Sequence, residues 1–142
     1  MLAVELHSHS VHSYDGEDSV ERLVDAAEQT GLDAIAVTDH DEFAASQRVA
    51  ELAGEYGLVG IAGMEISSAA GHVLGLGIDR AIERGLGFRE TVDRIHDAGG
   101  IAVVPHPFQE LRKGVLGTIP KTEITAADAI EVYNSRLFTG RA

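Results

Sequence analysis

The chain has 142 residues, with 23 acidic against 11 basic side chains, a formal net charge of -12, 44% apolar residues and no cysteine. That length carries at most one domain with a real core, and without cysteine there are no disulfides or thiolate metal sites, so a bound metal is held by nitrogen and oxygen. The charge argues against binding long nucleic acid through its backbone but is compatible with a small phosphorylated ligand where divalent cations dominate the local field.

No apolar run is long enough to span a bilayer, and the N-terminus lacks the basic and small-residue features of a signal peptide, so a cytoplasmic protein with no membrane contact is expected. Lysine occurs only at Lys113 and Lys121, while Asp and Glu run through every predicted helix. Such a surface is that of a halophile protein, where salt screens a crowded acidic exterior, or of a merely acidic one.

The opening Met1-Leu2-Ala3-Val4 reads as a strand that ends in His7-Ser8-His9. Residues two apart on a strand share a face, so both imidazoles point the same way. After the Tyr14-Asp15-Gly16 loop, a helix is predicted from about Asp18 to Thr30. Asp18 and Glu21 form a capping-box-like start, Gly31 is the stop, and Val20, Leu23, Val24 and Ala27 make the core face.

Ala34 to Thr38 is a short continuous apolar run, as in a parallel strand buried on both faces, and it ends in Asp39-His40. A second helix spans roughly Glu42 to Tyr56 and closes at Gly57. Strand three, Leu58 to Ala62, delivers Gly63-Met64-Glu65, and His72 to Leu76 is a fourth strand. Helix three runs from about Phe88 to Ala98 with Val92 and Ile95 inward. Strand five, Ile101 to Val104, enters Pro105-His106-Pro107, whose prolines stiffen the backbone around one histidine. A loop with Arg112, Lys113 and Lys121, a short helix near Glu123 to Ala127 and strand six, Ala129 to Tyr133, follow.

Strands alternating with helices imply an α/β fold with a parallel sheet and right-handed crossovers. Candidate ligands sit at nearly every strand end: His7, His9, Asp15, His40, Glu65, His72 and His106. Borderline divalent metals favour imidazole and carboxylate groups of this kind. A barrel points all its C-terminal strand ends at one centre, so the pattern favours a barrel over an open sheet. His96, near the end of helix three, suits the helix dipole and has a structural role; His12 is a loop neighbour of the site.

Six motifs in order carry a resemblance. They are His7-Ser8-His9, Ser13-Tyr14-Asp15-Gly16, Thr38-Asp39-His40-Asp41, Gly63-Met64-Glu65-Ile66-Ser67, Gly71-His72-Val73-Leu74-Gly75 and Pro105-His106-Pro107. Together they resemble the polymerase and histidinol phosphatase (PHP) superfamily of metal-dependent phosphoesterases, up to Glu131-Val132-Tyr133-Asn134. The resemblance implies a distorted (β/α)7-type barrel, here as its first six or so βα units in a single domain over 1–142. It implies two or three divalent ions, Zn or Mn with Fe or Mg as alternatives. His7 and His9 would hold the first ion, Glu65 would bridge it to a second completed by His72 and His106, and Asp15 and His40 would hold a third. Asp39 would orient a neighbouring ligand, since a metal-bound imidazole usually donates its other nitrogen to a carboxylate or carbonyl.

The superfamily's last Asp and His pair is not present before Arg141-Ala142, so the resemblance leads to the expectation of a C-terminally incomplete site with uncertain activity. Glu65 and His106 are the residues expected at the chemistry, with Arg112, Lys113 and Asn134 on the substrate. The compact Asp15-Gly16 motif and the short path from Glu65 to His72 are most similar to small members acting on nucleotides and short oligonucleotides. Histidinol-phosphate phosphatase and a non-catalytic metal-stabilised domain are the alternatives. Oligomeric state is left open.

Overall fold

The apolar run Ala34–Val37 is buried at every position and forms strand β2, paired in parallel with β1 (Val4–Glu5) on one side and β3 (Val59–Ser68) on the other. In this computed structural model, which describes residues 1–109 and 113–134, the sheet continues through β4 (Gly71–Leu76), β5 (Ile101–Val104) and β6 (Ala129–Ile130), giving six strands in sequential order. The sheet curls into a half-barrel, so that His7 just after β1 reaches Glu131 just after β6 at 3.0 Å.

Among the described residues four helices cover the outside: α1 (Val20–Gln29), α2 (Ala44–Leu52, extended by a 3-10 turn over Ala53–Tyr56), α3 (Phe88–Asp97) and the single turn α4 (Lys121–Ile124). The cap of α1 is Ser19, whose hydroxyl accepts from the Arg22 amide, rather than Asp18; Asp18 instead pairs with the Arg22 side chain at 3.0 Å. A hydroxyl with extended backbone geometry suits the cap position as well as a carboxylate does. Gly31, at φ +75°, ends the helix where any side chain would be strained. Val20, Val24 and Ala27 on α1 meet Ala45, Val49 and Leu52 on α2 over Ile35 and Val37. A second outer cluster packs Phe88, Val92 and Ile95 of α3 on Met64, Ile66, Val73, Ala102 and Val104. Inside the curl, Ala36, Leu74, Leu76 and Val103, joined by Ile61, form an apolar floor.

The expected α/β part-barrel forms, but its sheet is not parallel throughout. β4 lies antiparallel to both β3 and β5. Only Ala69 and Ala70 separate β3 from β4, and a parallel return needs a crossover of a dozen residues or more. Strand three is also longer than its apolar run: it continues past Ala62 to Ser68, which makes Glu65 a mid-strand residue and sets Ser67 opposite His72. Met64 and Ile66 face α3, so strand alternation turns Glu65 to the interior, on the face that carries Leu74 and the floor.

Candidate metal centre

Glu65 is fully buried, at 0% exposure, and five imidazoles surround its carboxylate. His7 Nε2, His9 Nε2 and His40 Nδ1 lie 3.1, 3.2 and 3.4 Å from Oε2; His72 Nδ1 and His106 Nε2 lie 2.8 and 3.0 Å from Oε1. A carboxylate this deep is ordinarily driven neutral. Burial does push Glu65 up, but hydrogen bonds from His106, His7 and His72 outweigh it and hold the group well below the usual carboxylate range.

His7 and His9 fall just beyond the short β1, yet both still face the pocket, their ring centroids 5.1 Å apart. Burial opposes a charge on His7; hydrogen bonds to Glu131 and Glu65 overcome it and push the imidazole up to about 10. Glu131 also accepts from the His106 amide at 2.7 Å and from the Asn134 side chain at 3.2 Å. Burial raises Glu131, yet its bond from His7 keeps it below its ordinary value.

His106 takes a φ of +27°, a conformation rare for a residue with a side chain and costing on the order of 1–3 kcal/mol. The bond from its amide to Glu131 helps hold it there. The prolines on either side narrow the backbone freedom that would relieve the strain.

On the other side of Glu65, Ser13 Oγ accepts from the His40 amide at 2.8 Å and lies 3.3 Å from His9 Nδ1. Asp15 Oδ1 stands 3.8 Å from His9 and 3.7 Å from His40. Burial lowers the His40 imidazole, against the pull of Glu65. The loop closes tightly here: a side chain at Gly16 would run into the Ser10 carbonyl. Asp39 does not bond a ligand imidazole as expected. Its two oxygens take the Ser10 amide and hydroxyl, each at 2.6 Å, and so fix the segment that follows His9.

The structure therefore brings together His7, His9, Asp15, His40, Glu65, His72 and His106 around one pocket, with Asn134 at its wall. Lys113 is not there. Its carbonyl caps the start of β4 by accepting from the His72 amide at 2.9 Å, and the residue lines a separate groove with Ser68–Gly71. Arg112, the other expected phosphate contact, lies outside the described residues. His12 is exposed and does not line the pocket, while His96 pairs with Asp128 at 2.9 Å.

Ligand atoms within 4.8 Å of one another form two groups, His7 with His106 and Glu65, and His9 with His40 and Glu65. The expected pairing of His7 with His9 is also visible in the contacts, since both approach Oε2 of Glu65 while His72 and His106 approach Oε1. The buried Nδ1 atoms of His40 and His106 have no hydrogen-bond partner among the described residues. Buried polar atoms left unpaired are costly, and nitrogen and oxygen donors converging in this way fit one or more divalent cations.

Glu131 is the site residue that the reading of the sequence left without a role. The strand expected over Ala129 to Tyr133 hides it mid-strand; the observed β6 stops at Ile130, which sets Glu131 at a strand end like His7.

A curled α/β half-barrel that gathers histidines around a buried mid-strand glutamate defines a metal-binding barrel-type domain. The sequence profile of the PHP domain matches residues 5–125, and the chain belongs to that family. It is 29% identical over 144 residues to an uncharacterized protein of Methanocaldococcus jannaschii, covering 94% of this chain and 82% of that protein. It is 35% identical over 81 residues to a phosphoribosyl 1,2-cyclic phosphate 1,2-diphosphodiesterase of Eggerthella lenta, covering 53% of this chain and 30% of the enzyme. A two-domain protein from Bacteroides vulgatus, containing a predicted PHP-like metal-dependent phosphoesterase, superposes with a TM-score of 0.79 at 24% identity, over 96% of this chain and 45% of that one.

Proposed function

We propose that the chain is a metal-dependent phosphoesterase that hydrolyses phosphate esters of nucleotides or short oligonucleotides. The observation that carries this reading is the buried Glu65 carboxylate shared by two ligand groups, His7–His106 and His9–His40. Its relatives include a cyclic-phosphate diesterase and a structure described as a predicted phosphoesterase.

Divalent ions bound here, Zn or Mn, would supply Lewis acidity toward a phosphoryl group and toward its attacking water. Glu65 would bridge the two groups. Glu131 holds His7 by Nδ1 and so keeps Nε2 aimed at the centre. Asp15 and His72 stand ready as further ligands, and Asn134 lines the wall that a substrate would pass. The pocket, about 720 Å³, carries Glu5, Glu17 and Asp18 at its mouth and no Lys or Arg among the described residues. An anionic ester would be repelled from such a mouth unless cations compensated it, so substrate binding should depend on metal as strongly as turnover does. Among the described residues no helix is long and apolar enough to cross a membrane; a cytoplasmic location and a small phosphorylated substrate, rather than long nucleic acid, complete the reading.

The test is release of inorganic phosphate from nucleoside monophosphates and of mononucleotides from short oligonucleotides, with histidinol phosphate alongside, in the presence of Mn or Zn and after chelation. Metal-dependent release from the nucleotide substrates is expected. Preference for histidinol phosphate would reassign the substrate, and metal binding without any hydrolysis would make the domain a non-catalytic one.

A further inference from the structure

His7 and His40 are held in different ways. His7 has its ring fixed by Glu131 at 3.0 Å, and His9 has Ser13 at 3.3 Å. His40 is held more loosely: its buried Nδ1 stands 3.4 Å from Glu65 Oε2 without making a hydrogen bond among the described residues, and Nε2 approaches Asp15 Oδ1 only to 3.7 Å, beyond hydrogen-bond range. A ring with a fixed main chain can still turn about its last side-chain bond, so something else must set its plane.

Rings supply the constraint. His9 stacks on His40 with centroids 4.7 Å apart and planes 18° from parallel, and Tyr14 stacks on it at 4.7 Å and 13°. His72 adds a tilted contact at 4.8 Å. His9 and His72 belong to the ligand cluster itself. Tyr14 does not, and at 83% exposure it contributes little to the core.

We propose that Tyr14 is a positioning residue: its ring, stacked on His40, sets the plane of that imidazole and thereby the metal affinity of the His9–His40–Glu65 group, the task that Glu131 performs for His7 by hydrogen bonding. The inference rests on the metal-site reading given above. Flat stacking limits rotation of the imidazole without needing a donor or acceptor. It also places an electron-rich ring face beside an imidazole that becomes electron-poor when it binds a cation, an arrangement aromatic faces favour. The hydroxyl is not required, which separates this role from a hydrogen-bonding one.

The experiment compares the wild-type chain with Tyr14→Phe and Tyr14→Ala. Each is titrated with Zn by calorimetry and with Co while its visible spectrum is recorded, and the metal-free forms are melted. In Tyr14→Ala one class of ion should bind about 10–100-fold more weakly, the range seen when a group supporting a ligand is lost, with an altered Co spectrum and the other class unchanged. Tyr14→Phe should match wild type in both. Metal-free melting temperatures should agree within about 2 °C, as for an exposed substitution. Unchanged affinity in Tyr14→Ala, equal weakening of every site, or a Tyr14→Phe variant as impaired as Tyr14→Ala would each overturn the assignment while leaving the metal reading intact. A wild-type chain that binds no metal would overturn both.

Discussion

The two sides of Glu65 offer similar ligands on different supports. The His7–His106 side is tied by charge and hydrogen bonds: Glu131 takes the His7 ring and the His106 amide and links the ends of β1 and β6 across the curl. The His9–His40 side is built on a loop, with Ser13 and Asp39 fixing the main chain and ring stacking fixing the imidazole. A carboxylate support responds to pH and ionic replacement, whereas a stacked support responds to shape. The sides should therefore fail under different perturbations.

The largest effect should come from the group they share. Glu65→Gln keeps size but removes the charge facing both ligand groups, so affinity for divalent ions should fall on both sides by more than about 100-fold, beyond what loss of a supporting residue costs. Calorimetric titration checks this, and normal stoichiometry in the variant would refute the bridge.

Acid and alkali should then separate the sides in the metal-free chain. His7 is raised from 6.5 to about 10, so the stability it contributes is fully present below 6.5 and is lost as pH rises through about 10. His40 is lowered by burial, so its contribution is present above 6.5 and is lost as pH falls through its lowered value. Glu65, held low by its histidines, adds a loss at still more acid pH. Thermal melting across pH should show a plateau with both flanks, and His7→Gln should flatten the alkaline flank while also weakening the acid one, because Glu65 and Glu131 lose a bond that holds them low.

Glu131→Gln leaves a hydrogen-bonding side chain of the same size but removes the carboxylate from the His7 ring. Metal affinity on the His7–His106 side should drop about 10–100-fold with the other side spared, as read by the same titration. Asp39→Asn is the counterpart for the loop side: it sets an amide against the Ser10 amide and hydroxyl in a fully buried place, and should destabilise the fold by about 1–3 kcal/mol in denaturant melts. Smallest of all, Lys113→Ala should leave metal binding and hydrolysis nearly unchanged, because that side chain lines another groove.

Much of this arrangement was readable in the residues, for identifiable reasons. The inward faces of α1 and α3 follow from helical spacing, and His106 is marked by two prolines. The strand-end positions of His7 and His40 follow from where apolar runs stop. What the runs could not show was that β3 continues through Glu65. Its later residues alternate between α3 and the interior, so no continuous apolar stretch announces them, and the reversal of β4 follows from that extension. The partition of ligands was hidden for a related reason. His7 and His106 are neighbours only because the sheet curls, and curvature leaves no local signal in either segment. Asp39 and Glu131 show the limit of reading roles from residue type. Both are acids beside histidines, but the chain turns one toward a serine and the other toward an imidazole.

The central claim is that Glu65 is shared by two metal positions. Anomalous diffraction from crystals grown with Mn, then Zn, tests it most directly. The account predicts two peaks beside the Glu65 carboxylate, one bounded by His7 and His106 and the other by His9 and His40. Ordered side chains with no anomalous peak at Glu65, or metal held by other residues, would contradict it.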